Sequence, residues 1–293
     1  MQIAIYSRGF NDREDIEDIQ QLLEQLILSN VQPVIYGPFF SRIRPHLSLK
    51  QEPGTFNGAG DLNGQIEFMI SLGGDGTLLD TVCFVRDKNI PIIGINFGRL
   101  GFLASIGRQE VGSLVAALLH RTFVIDRRTL VHLDSNIPLF GEIPYGLNEF
   151  TLHKKDSSAM VRIHTYLNGE FLNTYWADGL IVSTPTGSTG YSLSCGGPVV
   201  FPDAASFVIT PVAPHNLNVR PIVIPDSNVI SFEIEGRSDQ FLCTLDSRIE
   251  TVGSSVQLAI RRESFSLGLV RINEINFLHT LRNKLLWGID KRN

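Results

Sequence analysis

The 293-residue sequence has few cysteines, no long apolar segment and no excess of positive charge. Its three cysteines, Cys83, Cys195 and Cys243, are widely spaced without a C-x-x-C pair, so we expect neither a zinc site nor a disulfide framework, and we assign no residue as a metal ligand. No apolar run approaches about 20 residues, and the first residues lack the basic and apolar regions of a signal peptide. These absences predict a cytoplasmic protein with no membrane partner.

The charge balance argues against a further class of partner. The net charge is −5 at pH 7 and the pI is near 5.8, whereas proteins that bind a nucleic-acid backbone normally present a basic face. We therefore expect no nucleic-acid partner. The length and the 43% hydrophobic content are sufficient for a large core divided between two domains.

The first 123 residues alternate between apolar strands and amphipathic helices. The sequence pattern predicts strands at residues 3–6, 33–36, 66–72 and 91–95, and helices at 16–27, 78–86 and 109–120. Alternation of this kind predicts a Rossmann-like α/β domain with a parallel sheet over residues 1–123. Residues 38–64 are rich in Pro, Gly and Asn and are expected to form a mobile loop.

Residues 124–270 have a different sequence pattern, with few helical repeats. Short β-rich runs separated by Pro, Gly and Asn predict an all-β domain of the β-sandwich type, and Asn168-Gly169 between two such runs is a strong hairpin signal. The last of these runs covers residues 265–270. An amphipathic segment at 277–288, which ends at Gly288, predicts that residues 271–293 return to the N-terminal domain.

A glycine-rich turn with a central aspartate follows the predicted strand 66–72. Glycines allow backbone N–H groups to approach an anion, and a helix that follows adds a positive dipole, so the pattern predicts a phosphate loop. The loop comprises Gly73, Gly74, Gly76 and Thr77. The carboxylate of Asp75 would repel a phosphate, so we expect it to bind a metal, accept a hydroxyl proton or hold a sugar hydroxyl. The alternative is a helix cap that needs no ligand.

Residues 178–194 form the second unusual segment. They contain seven serines and threonines, together with several glycines and Tyr191. Hydroxyl and backbone N–H groups at this density favour hydrogen bonding to a polar ligand, and a tyrosine offers a flat face to a base. The alternative is a polar turn between two strands.

Together these segments resemble the NAD kinase family, whose members transfer the terminal phosphate of ATP, or in some cases polyphosphate, to the adenosine-ribose 2′-hydroxyl of NAD. The glycine-aspartate turn alone is also similar to that of diacylglycerol, sphingosine and sugar kinases, but segment 178–194 distinguishes NAD kinases. Further segments with the resemblance are 98–102, 148–149, 211–215 and 281–288, so it extends over about residues 66 to 288.

The resemblance implies a role for individual residues. Asp75 matches the catalytic aspartate, which accepts the hydroxyl proton or orients the hydroxyl, and Asn148 with Glu149 would hold the adenosine portion. Asp178 would face the nicotinamide side, and Tyr191 would lie close to the adenine. The full set implied to bind NAD is Asp75, Gly76, Asn148, Glu149, Asp178, Thr189, Gly190, Tyr191, Ser192, Leu193, Ser194, Ala213 and Arg248.

One position departs from the family pattern. Many members have Asp-Gly-Gln where this chain has Asp246, Ser247 and Arg248, so Arg248 would either meet a phosphate through its guanidinium fork or remain a solvated surface charge. The resemblance also implies a divalent cation, expected to be Mg²⁺, and a homodimer or homotetramer. Two alternatives stay open: a lipid or sugar kinase that shares the turn, and a catalytically silent NAD or NADP sensor.

Overall fold

The computed structural model describes residues 1–10, 13–155, 160–236, 239–272 and 277–285. Contacts divide the chain into two compact units: unit 1 comprises residues 1–127 and 267–293, and unit 2 comprises residues 128–266. The chain therefore leaves unit 1 after residue 127, forms unit 2, and returns to unit 1 at residue 267.

Unit 1 is an α/β unit around one seven-stranded sheet. Its elements are β1 (Gln2–Tyr6), α1 (Arg13–Leu28), β2 (Gln32–Tyr36), α2 (Gly37–Ile43), β3 (Gly54–Phe56), β4 (Ile66–Leu72), α3 (Asp75–Val85), β5 (Ile92–Ile95), α4 (Val111–His120) and β6 (Val124–Arg128), followed after unit 2 by β19 (Leu267–Arg271) and α6 (Phe277–Leu285).

The sheet of unit 1 has the strand order β3-β2-β1-β4-β5-β19-β6. Pairings among β1 to β5, and that of β19 with β5, are parallel, which confirms the predicted parallel sheet. Strands β2 and β3 lie on one side of β1, whereas β4 and β5 lie on the other. The order therefore reverses between β1 and β4, and in such sheets ligands bind where the strand order reverses.

Apolar periodicity accounts for the core of unit 1. Strand β4 is buried at nearly every position, and helix α1 buries Ile19, Leu22 and Leu26 at helical spacing. The first turn of α1 is acidic, and negative charge there stabilises the helix through its dipole. Side chains from both elements belong to one hydrophobic cluster.

The prediction of a mobile loop at residues 38–64 was wrong. Helix α2 and strand β3 lie there, together with two short 3₁₀ helices. Pro38 stands in the first turn of α2, where proline is tolerated because the amide there has no helical partner. Phe39 and Ile43 then anchor the helix, since both are fully buried.

The unit edges differ by a few residues from the predicted ranges 1–123, 124–270 and 271–293. Strands β6 and β19 belong to the sheet of unit 1, although their sequences look like those of the short strands that precede or follow them. The predicted end of the last helix at Gly288 lies outside the described residues. No described helix has the length and apolar character needed to span a membrane.

Unit 2 is an antiparallel sandwich of two six-stranded sheets, as predicted. Its elements are β7 (Val131–Ser135), β8 (Tyr145–Gly146), β9 (Glu149–Lys154), β10 (Val161–Leu167), β11 (Glu170–Ala177), β12 (Gly179–Ser183), α5 (Tyr191–Ser194), β13 (Ser206–Val212), β14 (Ile222–Pro225), β15 (Ile230–Glu235), β16 (Gln240–Leu245), β17 (Arg248–Gly253) and β18 (Leu258–Arg262).

The two sheets of unit 2 have the orders β11-β10-β15-β18-β7-β8 and β14-β13-β12-β9-β16-β17. They pack face to face: Phe150 of β9 stacks on Phe232 of β15 with ring centroids 5.9 Å apart. The predicted hairpin is present, and φ is 50° at Asn168 and 84° at Gly169. Two positive φ values are what a tight two-residue turn between antiparallel strands requires.

Candidate functional site

The glycine-aspartate turn connects β4 to α3 in unit 1. Gly73 has φ +144°, and a Cβ there would lie 2.5 Å from Oγ1 of Thr77, so the turn needs glycine. Gly74 is the N-cap of α3, and Asp75 is the first helical residue. Asp75 is therefore not the helix cap of the alternative interpretation, and among the described residues no side chain caps this helix.

The carboxylate of Asp75 is held by three backbone amides of a neighbouring loop. Oδ2 accepts the N–H of Phe102 at 2.9 Å, and Oδ1 accepts those of Leu103 and Ala104 at 3.0 and 2.9 Å. Gly101 lies against the same group. Asp75 is partly buried, so its carboxylate has a fixed orientation at the first turn of the helix.

Asn96 shapes the other half of that loop, and sequence reasoning missed it. Its Oδ1 accepts the N–H of Gly98 at 3.0 Å, and its Nδ2 donates to the carbonyl of Arg99 at 2.7 Å. Asn96 and Asp75 together hold residues 98–104 from two ends. A signal was available, because an asparagine two residues before a glycine is typical of a side-chain-stabilised turn.

A cavity of about 510 Å³ lies at the carboxyl ends of β1, β4 and β5. Its lining includes Ser7, Gly9, Leu72, Gly73, Asn96 and Gly98. This is the position at which the strand order of the sheet reverses, where ligands of such sheets bind. Unit 1 thus places a cavity next to the predicted phosphate loop.

In unit 2, Asn148 and Glu149 stand at the start of β9. Oδ1 of Asn148 and Oε2 of Glu149 are buried and have no hydrogen-bond partner within the described residues, and Glu149 as a whole is only 9% exposed. Buried polar atoms are nearly always paired in folded proteins. Two adjacent exceptions therefore point to a ligand that supplies the missing partners.

The backbone of this pair is fixed by Asp246, which lies in the turn between β16 and β17. Its carboxylate accepts the N–H groups of Leu147 and Asn148 at 2.8 Å each and that of Glu149 at 3.2 Å. Burial raises the pKa of Asp246, and the three amides and Arg248 oppose that rise. Sequence reasoning did not assign this function to Asp246.

The carboxyl group of Glu149 has a raised pKa. Burial, with a contribution from the negative charge of Asp246, raises its pKa to about 8. At neutral pH the carboxyl group is therefore mostly protonated, and it can donate a hydrogen bond as well as accept one.

Segment 178–194 packs on this pair. The chain passes through β12 into a loop whose Thr184 amide donates to the carbonyl of Asn148 at 2.8 Å. A Cβ at Gly187 would lie 2.1 Å from that same carbonyl oxygen, and a Cβ at Gly190 would lie 3.2 Å from Oε2 of Glu149. The glycines thus permit the close approach that brings residues 187–190 to Asn148 and Glu149, and the polar-turn alternative does not account for this contact.

Tyr191 and Asp178 both have partners close to this segment. The Tyr191 ring is 40% exposed and stacks on His153, with centroids 6.1 Å apart and planes inclined by 16°. Burial lowers the pKa of His153, which favours the neutral ring. Its Nε2 can then accept a hydrogen bond from the Tyr191 hydroxyl, whose oxygen is 3.1 Å away. Asp178 forms an ion pair with Lys154 at 2.6 Å.

Two predicted NAD-binding residues instead have internal partners. Ser192 is fully buried and bonds to the hydroxyl of Thr210 at 2.8 Å. The guanidinium of Arg248 donates to the carbonyls of Ile143 and Tyr145 and lies over the ring of Phe140. It is neither directed at a phosphate nor a solvated charge, because it holds the chain before Asn148.

Of the remaining predicted residues, Gly76 is exposed in unit 1 and the others are near the surface of unit 2. Thr189 and Gly190 are half-buried, as is Leu193, whereas Ser194 is exposed. Ala213 is exposed and has φ 45°, an uncommon conformation for a residue other than glycine, which tends to occur at functional sites.

A carboxylate fixed beside an uncapped helix N-terminus suits the transfer of a phosphoryl group to a hydroxyl, which is the chemistry of a phosphotransferase. Family models are more specific: the ATP-NAD kinase N-terminal domain matches residues 58–123, and the ATP-NAD kinase C-terminal domain matches residues 147–270. The NAD kinases of Cytophaga hutchinsonii and Flavobacterium psychrophilum are 49% and 45% identical to this chain, over 100% of each chain. The chain belongs to the NAD kinase family.

Two solved structures have the same fold. Yeast NADH kinase complexed with NADH superposes with a TM-score of 0.88 at 21% identity, covering 99% of this chain and 88% of the yeast chain. An NAD kinase from Archaeoglobus fulgidus in complex with ATP superposes with a TM-score of 0.74 at 23% identity, covering 96% of this chain and 97% of the archaeal chain. The family assignment decides for an NAD kinase, which makes NADP from NAD, over a lipid or sugar kinase.

Proposed function

We propose that Asp75 orients the adenosine-ribose 2′-hydroxyl of NAD for attack on the terminal phosphate of ATP. The observation that carries this proposal is the carboxylate fixed by three amides at the first turn of α3. Phosphoryl transfer depends mainly on positioning and charge stabilisation. A carboxylate with a fixed orientation meets the first of these needs.

In the proposed step the bond between the terminal phosphorus and the bridging oxygen of ATP breaks while a bond to the 2′-oxygen forms. The hydroxyl proton passes to Asp75, and ADP leaves with the electron pair of the broken bond. Since carboxylates are weak bases, orientation of the hydroxyl contributes more than removal of its proton.

Unit 2 would supply further residues for NAD. The unpaired oxygens of Asn148 and Glu149 support their assignment to the ribose hydroxyls of the adenosine. The protonated Glu149 would donate to one hydroxyl oxygen, and Oδ1 of Asn148 would accept from another hydroxyl. The exposed ring of Tyr191 would stack on the adenine.

A divalent cation, expected to be Mg²⁺, completes the proposal. Within the described part of the chain, no group of three or more His, Cys, Asp or Glu side chains could hold a metal ion. Mg²⁺ is usually held by one or two carboxylates together with substrate phosphates and water. A cation held in this way would need few ligands from the chain and would neutralise charge on the ATP phosphates.

Other properties remain predictions: a cytoplasmic location, a homodimer or homotetramer, and the choice of ATP or polyphosphate as donor and of NAD or NADH as acceptor. The yeast and archaeal neighbours bind NADH and ATP respectively, which supports both a dinucleotide acceptor and a nucleotide donor.

The test is the initial rate of NADP or NADPH formation across NAD, NADH, ATP and polyphosphate, for the wild type and Asp75→Asn. We expect the variant to lose about 100-fold or more in kcat while its Kd for NAD changes little. Near-normal turnover in the variant would remove Asp75 from the mechanism. Tight NAD binding by the wild type without any phosphorylated product would favour the sensor.

A further inference from the structure

Arg8 lies beside the phosphate loop in unit 1 and has no function in the mechanism above. It follows β1 by two residues, at the carboxyl edge of the sheet. Its side chain is 53% exposed. A Cβ built on Gly76 would lie 3.5 Å from Nη1 of Arg8, so the guanidinium is in van der Waals range of the loop.

The guanidinium is held in this position by Asp80 of α3. Nε donates to Oδ2 at 2.5 Å and Nη2 donates to Oδ1 at 2.7 Å, and the hydroxyl of Tyr6 donates to the same Oδ2 at 2.9 Å. Gly76 and Asp80 are four residues apart and therefore lie on one face of the helix. Arg8 spans that turn, with two nitrogens on Asp80 and Nη1 turned to Gly76.

The support of Arg8 extends beyond one ion pair. The ring of Tyr6 packs on Tyr36 and Phe84, with centroids 5.1 and 5.0 Å away, so the hydroxyl that contacts Asp80 belongs to an aromatic cluster. An exposed ion pair contributes only about 0–1 kcal/mol to stability. Stability alone is therefore a weak reason for this arrangement, whereas orientation of Nη1 is a direct consequence of it.

A second guanidinium group is close by. Arg42 of α2 donates to the backbone carbonyl of Arg8, and a Cβ on Gly9 would lie 3.5 Å from its Nη1. Ser7 and Gly9, the two neighbours of Arg8, line the cavity at the carboxyl ends of β1, β4 and β5. The guanidinium groups of Arg8 and Arg42 thus flank the segment where the cavity meets the phosphate loop, while the carboxylates of Glu14 and Asp15 also line the cavity.

We infer that Arg8 binds the terminal phosphates of the ATP donor, with Asp80 as the residue that positions it. This inference rests on the proposed function. Nη1 would donate to oxygens of the phosphate being transferred, and its positive charge would stabilise the negative charge on that group as the bond to ADP breaks. Because Asp80 offsets part of that charge, the effect depends on Nη1 lying nearer to the phosphates than the carboxylate does.

The test compares Arg8→Ala, Arg8→Lys and Asp80→Asn with a matched control, Arg44→Ala. Arg44 also forms an ion pair with one carboxylate, Glu52, in the same unit. Steady-state kinetics give KM for ATP, KM for NAD and kcat. Calorimetric titration of ATP in the absence of NAD gives donor affinity without turnover, and thermal unfolding reports on folding.

For Arg8→Ala we expect KM for ATP and the Kd for ATP to rise about 10-fold and kcat to fall at least about 10-fold. KM for NAD and the unfolding midpoint should stay close to wild type, as should all parameters of Arg44→Ala. Arg8→Lys should recover part of the loss, because lysine keeps the charge but lacks the fork. Asp80→Asn should have a smaller effect, and combining it with Arg8→Ala should add little.

Unchanged ATP binding and turnover in Arg8→Ala would overturn the inference, and so would a rise confined to KM for NAD. A drop in unfolding midpoint with equal losses for both substrates would assign Arg8 a structural function instead. Absence of product from the wild type would refute the proposed function, while ATP titration would still test Arg8 on its own.

Discussion

Gly101 and Asp75 are so close that a Cβ at position 101 would lie 1.8 Å from Oδ1 of Asp75. No L side chain fits there unless the carboxylate or the loop moves. The glycine therefore belongs to the device that orients Asp75, together with the three amides of residues 102–104.

Substitution of Gly101 tests this relationship. We expect Gly101→Ala to lower kcat by about 100-fold, because a displacement of about 1 Å at a reacting group has that scale of effect. Steady-state kinetics with ATP and NAD measure it. Gly58→Ala is the control, since a Cβ at Gly58 meets no atom within 4 Å. Equal kcat values for the two variants would show that the orientation of Asp75 is unimportant.

Glu149 predicts a pH dependence of stability. Its pKa rises from 4.5 in the unfolded chain to about 8 in the folded one. Between these values the unfolded glutamate loses its proton while the folded one keeps it, so its contribution to the free energy of unfolding is full below pH 4.5 and falls as pH rises to about 8. Glu149→Gln lacks this titration and should be less sensitive to pH.

The measurement is urea unfolding at several pH values between 5 and 8. The difference in unfolding free energy between Glu149→Gln and wild type should grow with pH, by about 1 kcal/mol per pH unit. Glu170→Gln is the control, because Glu170 is exposed at the start of β11. A pH-independent difference for Glu149→Gln would contradict a protonated Glu149.

Asp246→Ala should weaken both stability and NAD binding. It removes the acceptor of three amides, and unpaired buried groups cost about 1–3 kcal/mol each before relaxation. We expect the free energy of unfolding to fall by about 3 kcal/mol and the Kd for NAD to rise, because the Asn148 and Glu149 backbone loses its support. Denaturant unfolding and NAD titration measure these effects.

The control for Asp246 is Asp203→Ala, a substitution of an exposed aspartate in unit 2, which should change stability by less than about 0.5 kcal/mol. If Asp246→Ala retained the Kd for NAD in its folded fraction, the backbone of the Asn148 segment would not depend on this carboxylate.

Tyr191→Ala should raise KM for NAD about 10-fold, because stacking of an aromatic ring on a base contributes about 1–3 kcal/mol. KM for ATP should not change. Tyr191→Phe keeps the ring that stacks on His153 and should remain close to wild type, which separates stacking from hydroxyl chemistry. An effect of equal size in both variants would assign the hydroxyl, not the ring, to NAD binding.

The local sequence pattern predicted correctly those elements whose hydrophobic and turn residues match the environment that they have in the fold. The strand at residues 66–72 was predicted with the bounds it has, since an apolar run followed by glycines leaves little choice. The hairpin at Asn168-Gly169 was equally well defined. Helix α2 was missed because Pro38 looks like a helix breaker, although it stands in the first turn.

Tertiary relationships were beyond reach of local pattern. Asp246 lies 98 positions after Asn148, and only the pairing of β9 with β16 brings them together. Likewise, nothing in the residues of β19 distinguishes a strand of unit 1 from the strands of the sandwich. The partners of Arg248 were unpredictable for the same reason, as they come from residues about 100 positions earlier.

The place of β19 in its sheet has a consequence for synthesis on the ribosome. Strand β19 lies between β5 and β6 in the sheet. The edges of β5 and β6 that pair with β19 therefore have no partner until all 139 residues of unit 2 have been translated. A nascent chain stalled or truncated before residue 267 would expose these edges, which can pair with other chains and aggregate. Completion of the seven-stranded sheet is thus tied to a strand that is translated only after unit 2.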